Sequence, residues 1–370
     1  MRAKMLGLAA VIGLMTGWLG AMAQDAPVSV AVVGMDHQHV YTFFSNLETT
    51  KNVKVIAIVE KDQALRERYT RLMHVDPALY VDSLDAMLAK GKPKALLIYT
   101  GPTRHLEVTE WAAKHGIDVM MEKPFATTLA DAVAMRDLGR KYHVKVLVNY
   151  ETSWYASNAA VLKDVDDGKL GEVHKVVVHD GHNGPVEIHV MPEFLKWLTD
   201  PQGNGAGALF DFGCYGADLM TVMMHGEAPL SVTAVAQTNK PDEYPKVDDD
   251  ATIILRYPHA QAVLMPSWDW TFARKDMEVY GTKGYEIAVD PATVTSRFSE
   301  KEKPVTVEEP KTPLAYTNSL EYLAAIERGQ ISGEHDLTAT DTNLVTMQIL
   351  DAAKRSVQEG KTVALTPVSK

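Results

Sequence analysis

Cysteine is nearly absent: Cys214 is the single one in 370 residues. No internal disulfide can form, so the fold rests on its apolar core in any redox compartment. Basic charge is also short, with 37 Lys and Arg against 48 Asp and Glu and a net charge of −11. That balance works against electrostatic binding to nucleic acid or to an anionic membrane, which leaves a small neutral or cationic ligand as the simpler partner. A membrane-spanning run is missing too. The apolar stretch from Met5 to Leu19 falls short of the roughly 20 residues that a span needs, and Gly7, Gly13 and Gly17 interrupt it. Internal repeats and low-complexity segments are lacking. What is present, 46% hydrophobic and 23% charged residues, is the make-up of an ordinary globular protein long enough for two domains.

The first residues read as a signal peptide over 1–23: Arg2 and Lys4, the apolar stretch, then Ala21-Met22-Ala23 as a small-residue cleavage site. The leader has no twin-arginine pair, so Sec-type export of an unfolded chain to the periplasm or medium is expected. No membrane attachment is expected after cleavage. A cofactor would then have to be captured outside the cytoplasm and held tightly.

From Val28 to Val33 the chain is a β-branched run ending at Gly34, the pattern of a strand buried on both faces of a parallel sheet. The turn after it, Gly34-Met35-Asp36-His37-Gln38-His39, stands where a G-x-G-x-x-G phosphate fingerprint would, but only the first glycine is present. An anion, Asp36, takes the second position and His39 the third. His37 and His39 can donate to a phosphate, face a sugar or a metal, or cap the helix predicted over 40–49. No third ligand is evident, so no metal is assigned to them. The next strand, Val53 to Val59, ends in Glu60, where an acid hydrogen-bonds an adenosine ribose in dinucleotide-binding domains or is simply solvated. Strands and helices alternate onward to Tyr150, predicting five or six parallel strands in a Rossmann-like domain over 24–150.

Two stretches carry the chemistry. Ile117 to Phe125 is an apolar strand that runs into Glu122-Lys123-Pro124, and ligands of an open α/β sheet bind outside such strand ends. The strand before it, Ala95 to Tyr99, leads into Thr100-Gly101-Pro102-Thr103-Arg104-His105 and a helix. Past Tyr150, short β-runs at 173–179, 230–237, 251–257, 261–268 and 276–280 predict a second, α+β domain over 151–340 with a large, mainly antiparallel sheet. Between the first two of these runs lies Gly203-Asn204-Gly205-Ala206-Gly207, then Asp211-Phe212-Gly213-Cys214-Tyr215. Residues four apart meet on a helix, so Asp211 and Tyr215 are expected to address one site. A helix and tail over 341–370 should pack back on the core.

Strand, T-x-P-x-x-H, Glu-Lys-Pro and the G-x-G-x-x-x-D-x-G-x-Y segment together resemble the Gfo/Idh/MocA oxidoreductase family over nearly the whole mature chain, and its secreted, glucose-fructose oxidoreductase-like branch in having tyrosine at position 215. The resemblance implies tightly held NAD or NADP, a carbohydrate substrate and a homo-oligomer. It implies catalysis by Lys123 on a substrate oxygen, with Asp211 and Tyr215. Cofactor contacts are expected from Gly34, Met35, His37, Glu60, Thr100, Pro102, His105 and Glu122, and substrate contacts from Trp154, Tyr155, His182 and Trp268. An ammonium beside Tyr215 would lower the phenol's pKa and make it an acid/base. A glycoside hydrolase or lyase on the same fold, NAD- or metal-assisted, is the alternative. A mere sugar-binding protein gains little from a lysine poised beside a phenol.

Overall fold

A computed structural model describes residues 26–309 and 312–366. The leader at 1–23 lies outside the described residues.

The first half alternates as the apolar runs predict: β1 (Val28–Val33), α1 (Val40–Thr49), β2 (Val53–Val59), α2 (Gln63–Leu72), β3 (Tyr80–Val81), α3 (Leu84–Lys90), β4 (Ala95–Ile98), α4 (His105–Lys114), β5 (Asp118–Glu122), α5 (Leu129–Tyr142) and β6 (Val146–Asn149). Three helices start where a side chain satisfies otherwise unpaired N–H groups: Asp62 caps α2, Ser83 caps α3 and Thr128 caps α5. The six strands are all parallel, in the order β3-β2-β1-β4-β5-β6. Their order reverses between β1 and β4, which places a crevice outside the carboxyl ends of β1, β4 and β5. Lys123 follows β5 directly, and its peptide bond to Pro124 is cis.

The second half opens with α6 (Ala156–Asp166) and β7 (Val173–Gly181). Four short helices follow: α7 (Pro192–Leu198), α8 (Pro201–Asn204), α9 (Ala208–Asp211) and α10 (Gly213–Met223). The chain then forms β8 (Ser231–Gln237), β9 (Asp250–Arg256), β10 (Gln261–Ser267), β11 (Arg274–Gly281), β12 (Tyr285–Ala288), β13 (Thr293–Arg297) and β14 (Val305–Glu308). It ends with α11 (Ser319–Glu327), α12 (Thr340–Glu359) and β15 (Val363–Ala364). The nine-stranded sheet runs β14-β13-β12-β11-β7-β10-β9-β8-β15. It is antiparallel except where β7 lies parallel to β10.

Two features tie the halves together. The long helix α12 packs on α5 of the first half and on α10 and β8 of the second. Asn343 on it accepts a 2.8 Å hydrogen bond from the hydroxyl of Tyr150, at the junction of the halves. The expected single helix carrying Asp211 and Tyr215 is instead broken at Phe212 into α9 and α10. The break leaves the Asp211 carbonyl, which an unbroken helix would bond to Tyr215 N–H, free for another donor.

Candidate active site

Lys123 is that donor. Its side chain is 3% exposed, and Nζ reaches the Asp211 carbonyl at 3.0 Å as well as the Asp211 carboxylate. The first half thus contributes a buried ammonium and the second half, 88 residues on, its counter-ion. The other oxygen of Asp211 accepts a 2.8 Å hydrogen bond from Trp268 Nε1. Burial works against both charges, but each partner's field outweighs it, so Lys123 sits above the usual ammonium range and Asp211 below the usual carboxylate range. Both stay ionised at neutral pH.

Tyr215 is present at the site but in a different relation. The Lys123 ammonium lies 5.0 Å from the centre of its ring, and that of Lys275 4.9 Å. These are cation–π contacts with the ring, not hydrogen bonds to the hydroxyl. Burial, with Glu151 adding to it, drives the phenol pKa well above 10. The expected acidified tyrosine is therefore corrected: Tyr215 keeps its proton at any working pH. The Lys275 ammonium is held in turn by Glu151; burial raises that carboxyl, and Lys275 outweighs it and brings it below its usual range.

Lys123, Asp211, Tyr215, Lys275, His39 and His182 line one cavity of about 160 Å³. Burial lowers the His182 pKa to about 4, so the ring is neutral. Its Nδ1 accepts from Gly184 N–H at 2.8 Å, which puts the proton on Nε2. A second cavity of about 240 Å³, lined by Glu122, Asn149, Glu151 and Trp154, shares His39 with the first. Two expected substrate contacts lie elsewhere. Trp268 is fully buried and serves Asp211, and Tyr155 donates its hydroxyl to Glu151 at 2.6 Å. Trp154 and His182 do face cavities.

The crevice above β1 and β2 carries features of a dinucleotide site at its two ends. Gly34 has φ +77, and a Cβ on it would lie 2.4 Å from Thr100 Cγ2, so close approach there requires glycine. Glu60 ends β2 as expected and accepts from Met35 N–H at 2.9 Å. Glu122 stands at the β5 end, 1% exposed. These positions fit the two ends of a dinucleotide. The turn between them departs. The Asp36 carboxylate, its pKa raised by burial, accepts from Gly101 N–H at 3.2 Å, and His37 is fully buried beneath Phe194 and Trp197 of α7. Helix α7 is fastened over the turn by Arg68–Glu193 at 2.9 Å, by Met191 N–H to Gln38 Oε1 at 2.7 Å, and by Trp197 Nε1 to the Asp36 carbonyl at 3.3 Å. Met35, Thr100, Pro102 and His105 are buried in the wall beneath. His105 is corrected from a cofactor contact to a wall residue. Its ring nitrogens face the carbonyls of Phe125 at 3.0 Å and Thr100 at 3.3 Å, joining the loops after β5 and β4. With its pKa lowered to about 4 by burial it has one N–H, and makes one of these bonds at a time.

The sequence does not announce the roles of Asn149 or of the covering helix α7. Two signals are there: the cation Lys275 close after Trp268 and Trp270, and the charge of Glu151 beside Tyr150 at the end of the last strand of the first sheet.

Residues 28–150 match the family model described as "Oxidoreductase family, NAD-binding Rossmann fold", and residues 158–285 match the "GFO/IDH/MocA C-terminal domain". Inositol 2-dehydrogenase of Rhizobium meliloti (strain 1021) is 26% identical over 312 residues, covering 77% of this chain and 84% of its own. Solved structures share the fold, two of them as follows. Aldose-aldose oxidoreductase from Caulobacter crescentus, complexed with glycerol, is 23% identical at a TM-score of 0.77, covering 92% of this chain and 100% of that one. An inositol dehydrogenase homolog from Azotobacter vinelandii, complexed with NAD+, is 19% identical at a TM-score of 0.79, covering 92% and 97%.

Proposed function

Because the chain belongs to the Gfo/Idh/MocA family of oxidoreductases, whose amino-terminal domain is an NAD-binding Rossmann fold, we propose that it oxidises or reduces a hydroxylated, sugar-like molecule in the cavity beside Lys123. The observation that carries this reading is the buried Lys123–Asp211 pair, one charge from each half, opening on a cavity of about 160 Å³.

The side chains there are suited to an oxygen that gains negative charge. Lys123 is a permanent cation, His182 presents Nε2–H and Tyr215 a phenol that keeps its proton. Donors fixed in a water-poor site stabilise an oxyanion without reorganising as the reaction proceeds. Asp211 keeps Lys123 charged and aimed, and Trp268 keeps Asp211 in place. Glu60 and the close-packed Gly34 would hold the dinucleotide, which would supply hydride exchange with the substrate carbon. The names of the relatives, an inositol dehydrogenase and an aldose oxidoreductase, support a cyclic polyol or an aldose as substrate. The cover over the turn supports slow cofactor exchange, and the leader at 1–23 supports export to the periplasm or medium. Val235 and Ile254, exposed on one face of the β8–β9 pair, support self-association through the second sheet.

Denaturing the purified protein and reading the released nucleotide, then assaying aldoses and cyclitols with NAD and NADP, tests the reading. Substrate-dependent reduction of either nucleotide is expected. Activity on glycosides with no nucleotide requirement would overturn it in favour of a hydrolase or lyase.

A further inference from the structure

The turn after β1 carries two histidines, and the fold brings a third group to them. His37, His39 and Glu122 each offer one donor atom, and the three atoms lie within 4.8 Å of one another. We propose that these side chains bind a divalent first-row transition ion between the carboxyl ends of β1 and β5, with open coordination positions toward the substrate cavity.

Geometry comes first. His39 Nδ1 and Glu122 Oε2 are 2.9 Å apart. Two ligands at right angles around a metal, each about 2.1 Å from it, are separated by about 3 Å, so this pair already spans the edge of a coordination shell. The other oxygen of Glu122 accepts from Asn149 Nδ2 at 2.5 Å, the outer hydrogen bond that fixes a ligating carboxylate. The His37 ring is packed edge-on against His39 at 4.6 Å and Phe194 at 4.8 Å.

The His37 ring is also available. The His37 Nδ1 takes part in one long bond, 3.2 Å from His39 N–H, and its fully buried Nε2 makes no hydrogen bond among the described residues. Coordination costs that ring one weak bond. Charge favours a cation as well. Lys123 is balanced by Asp211 and Lys275 by Glu151, whereas among the described residues the one ionisable hydrogen-bond partner of the buried Glu122 is His39. A buried carboxylate without a fixed positive partner is costly, and a metal supplies one.

Two imidazoles and one carboxylate suit zinc, cobalt, manganese or ferrous iron better than calcium or magnesium, which prefer oxygen alone. Three protein ligands leave at least one position open, as in catalytic rather than structural sites. Because His39 borders both cavities, an open position meets whatever binds beside Lys123. Adjacent hydroxyls of a polyol are suitable ligands for it. The inference does not rest on hydride transfer, and its test reads binding alone.

The test titrates chelator-stripped protein with Co²⁺ and Zn²⁺. The expected result is one ion per chain by elemental analysis, with cobalt d–d bands and no thiolate charge-transfer band. His39→Ala and Glu122→Gln should each weaken binding at least tenfold while far-ultraviolet dichroism stays unchanged. The partly exposed His39 carries the test, so a misfolded variant of buried His37 does not decide it. His179→Gln, in the separate His179–Asp276 pair, should bind as the parent does. Failure of the parent to bind either ion, or equal binding by the His39 and Glu122 variants, would overturn the proposal.

Discussion

Two strand ends of one sheet have been built in opposite ways. At the end of β5 the ammonium of Lys123 is buried, yet it borders a cavity and its counter-ion comes from the other half of the chain. At the end of β1 the turn residues Met35 and His37 are buried, because α7 of the other half lies across the place where a phosphate would sit. The same neighbour therefore completes one site and covers the other. The sheet supplies positions at both ends, and the side chains that arrive from the second half decide what each position can do.

Disabling the open end should have the largest effect. Lys123→Met removes the cation from the cavity, and turnover should fall about 100-fold or more in steady-state assays. It also leaves Asp211 buried without its partner, so a melting experiment should show a loss of about 3–5 kcal/mol. Unchanged turnover would put the chemistry elsewhere. Next, Trp268→Phe keeps the packing but deletes the 2.8 Å bond to Asp211. An unpaired buried acceptor costs about 1–3 kcal/mol, so kcat should drop roughly tenfold with KM little changed. If KM alone rises, Trp268 touches substrate after all.

Opening the covered end should act on binding. Asp36→Gly with His39→Gly restores the missing glycines, and NAD affinity measured by calorimetry should improve by about tenfold, or 1.4 kcal/mol. No improvement would mean that α7, not the turn itself, governs access. The smallest effect is expected from Glu193→Gln, which loosens α7 by breaking a partly exposed ion pair with Arg68 worth about 0.2–1 kcal/mol. Nucleotide exchange followed by stopped flow should speed up only a few-fold.

Much of this was legible in the sequence, and the reason is local. Val28–Val33, Val53–Val59 and the later apolar runs are strands because their side chains are β-branched and buried on both faces. Lys123, Asp211 and Tyr215 were singled out by short spacings and by resemblance, and the fold does bring them together. What the spacings could not reveal was relation. The phenol of Tyr215 was expected to feel a neighbouring charge, but whether an ammonium meets a hydroxyl or a ring face depends on the break at Phe212, which no residue type announces. Trp268 and Tyr155 are residue types that suit a sugar face, but each spends its polar atom on a carboxylate of the site. Glu122 stands out in the sequence as part of Glu-Lys-Pro and, by resemblance, as a cofactor contact, but not as a partner of His39, which is 83 residues away. The cover formed by α7 was invisible for the same reason: a seven-residue helix looks alike wherever it docks.

Helix α12, anchored on α5 and on α10 and β8, acts as a splint across the joint between the halves. A hinge braced in this way resists wide opening, since rotation would have to shear twenty residues of packed helix from one side or the other. Traffic into the cleft must then use small moving parts. The gate is to be sought in the short segments around α7 and the Gly184 loop, and the rate of its swing rather than a clam-shell motion would set how quickly the molecule exchanges its guests.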